Sequence, residues 1–426
     1  MLNLLINNKL KINEMTFKFF LSQSGTNKNI HLNLTDKQQN KAYTFRTNLR
    51  ISDDDWDKEK QRPTNIYLKK YKKLNANLNN IKKELAERIW EKRSEKKQVH
   101  QQALARRIKA VCSGKSTSLP ENSLLYYMKW YIDTKKELIC HSTYKRYKVF
   151  FHLLERFEGF MCKKLYIDTV NSDFIKDFMI FGKEEEYSEN TIYRTIHFVK
   201  TILNFAERKG VRTCVRELEI RRECQKKEVI TLTEREIDQI KYTDMPEHLQ
   251  AAKDWLLISC YTGQRFSDFM NFGRDQLKIL DGKTCLSFVQ QKTKKEIFLP
   301  LHPAVLHAIE RNGNDFPRLL DIQHYNIEIK EIAKLANIRE FVKARKRLGF
   351  RTKEIEVEKW EVLSSHVGRR SFATNFYGKI PTPLLMEATG HSTEQMFLRY
   401  INPVDKDRIL SLSTYFDKIY EDRVAV

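Results

Sequence analysis

A chain of 426 residues exceeds what one compact hydrophobic core serves, so two or three domains are expected. Its 77 Lys and Arg against 55 Asp and Glu leave a formal charge of +22, which points to a polyanionic partner, nucleic acid first. No run of eighteen apolar residues accompanies that charge, which argues against a spanning helix.

The leader MLNLLINNKLKINEM is broken by Asn and Lys and lacks a small-residue cleavage site, so it does not read as a secretory signal. Ordered patterning begins just after Met15, which makes that residue a candidate natural start. From Thr16 to about Arg50 apolar residues alternate in three runs separated by polar turns, predicting a three-stranded antiparallel sheet with one wet face. Leu74, Leu78, Ile81, Leu85 and Ile89 then keep helical spacing, and one long helix is expected to near Arg107, with Glu84 supporting Arg88 four residues on. Residues 109–122, small and polar with Gly114 and Pro120, read as a linker. Four amphipathic segments between Leu124 and Arg208 predict a helical bundle whose aromatics form core and whose Lys and Arg face outward, suited to a duplex backbone. Residues 212–232 read as a connector, and Thr233 with Glu236 forms a capping box ahead of the next helix. The seven cysteines are odd in number and show no Cys-x-x-Cys pair or His–Cys cluster. They read as reduced, mostly buried thiols, neither a disulfide frame nor a zinc site.

The last two hundred residues hold the chemistry. TGQRFSD places Arg265 at a turn entering a helix, and QQKTKKEIFLPL reads as a β-hairpin with Lys292 near its tip. His366 and Arg369, three apart, share one helix face; His391 follows Gly390, and Tyr400 lies nine residues further on. A phenol with a free pKa of about 10 attacks poorly unless its anion is stabilised. Guanidinium forks match the charge that builds on phosphate oxygens, so this set needs no metal. A lysine on a hairpin tip suits protonation of a leaving 5′ oxygen, and neighbouring Lys294 and Lys295 leave that choice open. A basic run at 341–353 contains Lys343, Arg345, Lys346, Arg347, Arg351 and Lys353 without an acid, and reads either as a solvated face or as a phosphate-tracking surface.

The blocks TGQRFSD, QQKTKKEIFLPL, HVGRRSFAT and TGHSTEQMFLRY resemble those of the tyrosine recombinase, or phage-type integrase, family, in particular integrases of bacterial conjugative transposons and prophages. The resemblance implies that Arg265, Lys292, His366, Arg369, His391 and Tyr400 are catalytic, with Tyr400 the nucleophile. Gly368 and Arg370 depart from the common His-x-Leu-Arg-His form. The implied architecture is multidomain: an α+β arm-type DNA-binding domain over residues 1–112, an all-α core-binding, SAM-like bundle over 119–211, and a mainly α catalytic domain with a small β-sheet over 230–426. That is the DNA breaking–rejoining enzyme fold. The implied activity is site-specific cleavage and rejoining of DNA through a 3′-phosphotyrosyl link, without metal or ATP, integrating and excising a mobile element. Invertase or resolvase action, a relaxing topoisomerase and a catalytically silent architectural protein are the alternatives. Implied partners are double-stranded DNA at core and arm-type sites, a homotetramer on DNA and accessory bending or excision factors. No cofactor and no membrane are implied, and the location is cytoplasmic and nucleoid-associated. The amphipathic tail after Tyr400 is expected to dock on a neighbouring protomer.

Overall fold

The computed structural model describes residues 15–23, 26–114, 119–219, 229–348 and 351–401, with Asp417 and Tyr420. The leader, the connector centre and the tail segment beyond Tyr400 lie outside them, as do the side chains of Arg347 and Arg351. The chain divides into two compact units that part between residues 223 and 224.

In the first unit, strands β1 (Met15–Leu21), β2 (Asn27–Asp36) and β3 (Lys41–Ser52) form an antiparallel sheet in sequence order. Alternation does the sorting. Phe19, Leu32, Leu34 and Phe45 go to the core, while Lys18, Phe20, Thr44 and Arg46 remain exposed. The expected single helix is two, α1 (Lys69–Ser94) and α2 (Gln101–Cys112). The chain breaks between them at Lys96, which takes φ +53. Glu84, almost fully buried, pairs with Arg107 of α2 at 3.3 Å and with Lys164 at 3.2 Å, and Arg88 pairs instead with Glu91. Burial decided against the local pairing, because a buried carboxylate recruits whichever cations surround it.

Helix α2 runs through Cys112, so the linker begins later than its composition suggested. The bundle comprises α3 (Leu124–Lys135), α4 (His141–Met161), α5 (Ser172–Glu184) and α6 (Glu189–Glu207). Ser123, Asn171 and Ser188 cap three of these helices by accepting backbone N–H bonds. Phe157, Phe174, Phe178 and Phe181 pack together at its centre, as core and not as stacking platforms. Val215 and Leu218 also bury there, so this part of the expected connector belongs to the bundle.

The second unit is built on α8 (Glu247–Thr262), a helix buried nearly all round, with α7 (Glu234–Tyr242) ahead of it. The Thr233–Glu236 capping box is present at the start of α7. Short helix α9 (Phe266–Phe269) leads to an antiparallel sheet of β4 (Leu277–Leu280), β5 (Lys283–Val289) and β6 (Glu296–Pro300), one strand more than the expected hairpin. Helices α10 (Pro303–Arg311) and α11 (Ile322–Leu335) follow. The basic run falls in β7 (Phe341–Leu348) and β8 (Arg351–Glu358), which pair as a two-stranded sheet. Helices α12 (Val367–Phe376), α13 (Thr382–Thr389) and α14 (Glu394–Phe397) end in a 3-10 turn, Leu398–Tyr400. Gly368 explains the departure from Leu at that position. A Cβ there would sit 1.9 Å from the Ser259 hydroxyl and 2.8 Å from its backbone, so α12 lies directly against α8. Of six described cysteines, all free, only Cys260 and Cys285 are buried and Cys140 is exposed, which corrects the mostly buried expectation. Among the described residues no helix is long and apolar enough to cross a membrane.

Candidate active site

Arg369 is the centre of the site. It lies in the first turn of α12 and is 0% exposed, yet among the described residues it faces no carboxylate within hydrogen-bond distance. Its Nη1 donates to the Gly263 carbonyl at 2.9 Å, and its Nη2 to the Thr389 carbonyl at 2.8 Å. Nη2 also lies 2.9 Å from His391 Nε2, and the guanidinium carbon stands 5.3 Å from the centre of the Tyr400 ring. Its Nε makes no hydrogen bond in a fully buried position. Burial, then the charge of Arg265, pulls its pKa below the usual arginine value, with Tyr400 and then Asp268 opposing.

These contacts fix the His391 tautomer. A guanidinium only donates, so Nε2 accepts and the proton is on Nδ1. Nδ1 then donates to Thr389 Oγ1 at 2.8 Å, whose hydroxyl passes on to the Leu385 carbonyl at 2.6 Å. Burial first, then the charges of Arg369, Arg265 and Lys295, push the His391 pKa down to about 3. The imidazole is therefore neutral, and in this arrangement its Nε2 is an acceptor. It can donate to a phosphate only after Arg369 turns toward that phosphate and the ring proton moves.

Arg265 stands at the N-terminal cap of α9, where Gly263 has already turned the chain out of α8. Its Nη1 donates to Gln290 Oε1 at 3.1 Å and lies 3.7 Å from Asp268. Sequence reading passed over both partners. Gln290, fully buried, also donates to Gln264 Oε1 at 2.9 Å and to the Thr389 carbonyl at 3.1 Å. One amide thus ties the first arginine, the lysine-bearing turn and the His391 loop together. Gly390 makes room for it: φ is +70, and a Cβ would lie 2.4 Å from the Gln290 oxygen. Asp268 accepts the Gln291 backbone N–H at 2.8 Å, anchoring the same turn. A carboxylate three residues after Arg265 was the available signal for Asp268; for Gln290 there was none.

Lys292 is exposed on the β5–β6 turn and makes no hydrogen bond or ion pair among the described residues. Its charge bears on His366, whereas that of Lys295 bears on His391. His366 caps α12 with an exposed edge; burial of the rest of the ring, then Arg370, Arg369, Arg265 and Lys292, lowers its pKa and keeps it neutral. Tyr400 is half-buried, its ring 5.0 Å from His391 and its carbonyl held by Thr374 Oγ1 at 3.2 Å. Contacts therefore join Arg265, Arg369, His391 and Tyr400, with Gln290 between, while His366 and Lys292 are tied to them by charge. Among the described residues no hydrogen bond or ion pair joins the basic strands to this cluster. Lys343, Arg345 and Lys353 are exposed, Arg345 lying 3.6 Å from Glu354, while Lys346 is bonded to Glu361.

A family model for the phage integrase SAM-like domain matches residues 123–213, and that of the phage integrase family matches 231–407. The chain belongs to the tyrosine recombinase, or phage integrase, family. Family membership makes it one of a class of proteins that cleave and rejoin DNA in site-specific recombination. Among solved structures, that of the Tn1549 transposon integrase in complex with transposon right-end DNA shares the fold. It is 14% identical with a TM-score of 0.50, over 71% of this chain and 100% of that one. Lambda integrase, as a dimer bound to a COC′ core site, is 15% identical with a TM-score of 0.49, over 65% and 95% of the two chains. The XerH recombinase bound to its difH substrate is 16% identical with a TM-score of 0.47, over 71% and 98%. No curated protein matches the chain.

Proposed function

We propose that this recombinase cleaves and rejoins DNA through Tyr400, and that it is an integrase moving a mobile element into and out of a chromosome. The observation that carries the chemistry is Arg369, buried between His391 and Tyr400 with no carboxylate in ion-pair contact among the described residues, Asp268 acting only from a distance. An unpaired buried guanidinium is costly, and an incoming phosphate supplies the missing anion. Arg265 adds the second fork, releasing Gln290 as it turns to the phosphate oxygens.

In the cleavage step, the Tyr400 oxygen forms a bond to phosphorus as its proton passes to neutral His366. The bond from phosphorus to the 5′ oxygen breaks, and that oxygen takes a proton from Lys292. The 3′-phosphotyrosyl link keeps the bond energy, so a 5′ hydroxyl from another strand reverses the step without ATP. Each guanidinium or imidazole donor acting on the transition state is worth about 3 kcal/mol.

The remaining assignments follow the same reading: residues 1–112 bind arm-type sites, 119–211 and 230–426 bind the core site, and four copies assemble on DNA. The outer face of the first sheet supports the arm assignment, because Lys18, Asn33, Thr44, His31 and Arg46 sit in adjacent register on it. The relatives above bind DNA as their structures are described, and one lambda integrase structure is a tetramer bound to a Holliday junction. A nicked duplex carrying the core site, which loses its short 5′ fragment after cleavage, tests the central step. Wild type should give a covalent protein–DNA band on a denaturing gel, and Tyr400→Phe none. A band that survives in Tyr400→Phe moves the nucleophile elsewhere. Tight binding with no band for either protein favours an architectural role.

A further inference from the structure

The departure at position 370 carries its own chemistry. Arg370 follows Arg369 in α12, and its backbone N–H bonds to the His366 carbonyl at 3.1 Å. His366, Arg370 and Thr374 are four apart and so form one stripe along the helix. Thr374 holds the Tyr400 carbonyl, which lays the tyrosine segment against that stripe. Arg370 is half-buried, and among the described residues its guanidinium has no hydrogen bond and no acidic partner. A partly desolvated cation without a counter-ion is costly unless an anion arrives.

We propose that Arg370 is a third guanidinium of the reaction centre, placed to meet the negative charge that develops on the Tyr400 oxygen. Arg265 and Arg369 meet the phosphate, Arg369 already lying against the Tyr400 ring, and Arg370 adds a further positive charge for the nucleophile. The electrostatics agree: burial lowers the Arg370 pKa, and Tyr400 is the one charge that opposes this. Arg369 and His391 lie against the Tyr400 ring; Arg265 and Lys292 bring positive charge to His366, Lys295 brings it to His391, and the buried Asp268 beside Arg265 is an acid among these groups. No carboxylate among them lies against Arg370, so its charge is available to the phenolate.

This inference rests on the strand-cleaving reading, and the test separates the two. The rate of covalent complex formation on the nicked duplex is followed against pH for wild type, Arg370→Ala and Arg370→Lys, at saturating protein. Removing one nearby cation should move the rate profile of Arg370→Ala roughly one unit alkaline, a loss of about tenfold near pH 7 that recovers as pH rises. Arg370→Lys should regain most of it. A profile for Arg370→Ala that coincides with wild type overturns the assignment. So does a loss equal at every pH, which separates Arg370 from the charge on the Tyr400 oxygen. Wild type that forms no covalent complex at any pH removes the cleaving reading and this one together.

Discussion

At the scale of single residues, the site is a cluster of cations held apart by neutral hydrogen-bonding groups. Arg369 takes the Gly263 and Thr389 carbonyls, and Arg265 takes the Gln290 amide, and these bonds offset the repulsion that the Arg265 charge exerts on Arg369. His391 shows what this costs. Its pKa is about 3 in the fold against 6.5 when free, so below 6.5 the unfolded chain binds a proton that the folded chain refuses. The contribution is complete above that value and is lost as pH falls toward 3. At pH 5 the loss amounts to about 2 kcal/mol. Thermal melting from pH 7.5 to pH 5 should therefore fall more steeply for wild type than for His391→Gln. Parallel curves would mean that His391 is protonated in the fold and does not accept from Arg369.

At the scale of elements, patterning and chemistry were legible where local sequence decides. The three-strand alternation, the bundle and the Thr233 cap depend on neighbours within a few residues, and they stand in the structure as read. The Arg265 turn, the Lys292 hairpin and the His366–Arg369 pair were legible because their residue types have little other reason to recur together. Glu84, Gln290 and Gly368 were not, because their partners lie far along the chain or, for Gly368, across a helix contact. The basic run shows the same limit: composition could not tell which charges face solvent. In β7, Val342 and Ala344 point inward, so Lys343 and Arg345 point out, and Lys346 is engaged by Glu361. If these strands track phosphate, replacing Lys343, Arg345 and Lys353 together by Ala should flatten the salt dependence of DNA binding. The expected change is about 0.9 in logarithmic slope for each phosphate no longer neutralised. Lys346→Ala should leave the slope alone. A triple variant with the wild-type slope would take the run out of the interface.

At the scale of the molecule, 77 cations stand against 55 acids, and several of those acids join the sheet-and-helix part to the bundle inside the first unit. Lys83 of α1 donates to Glu158 of α4 at 2.8 Å with both side chains buried, and Glu158 also accepts the Leu165 N–H at 3.0 Å. Next to this pair, Gly159 lets Asn79 approach so closely that a Cβ would stand 2.4 Å from it. Burial pushes the Glu158 carboxyl up, and Lys83 together with that N–H pulls it back. Such a pair contributes little net stability when formed, but stripping one partner leaves a buried charge and costs about 3–5 kcal/mol. Lys83→Met and Glu158→Gln should each lower amide-exchange protection in α1 and α4 by that order, and the double variant by much less than their sum. Glu158→Gln keeps the acceptor for Leu165, so the cycle isolates the ion pair. Strict additivity would mean that the two parts are not joined through these charges. Coupling would mean that the sheet and the bundle open as one body.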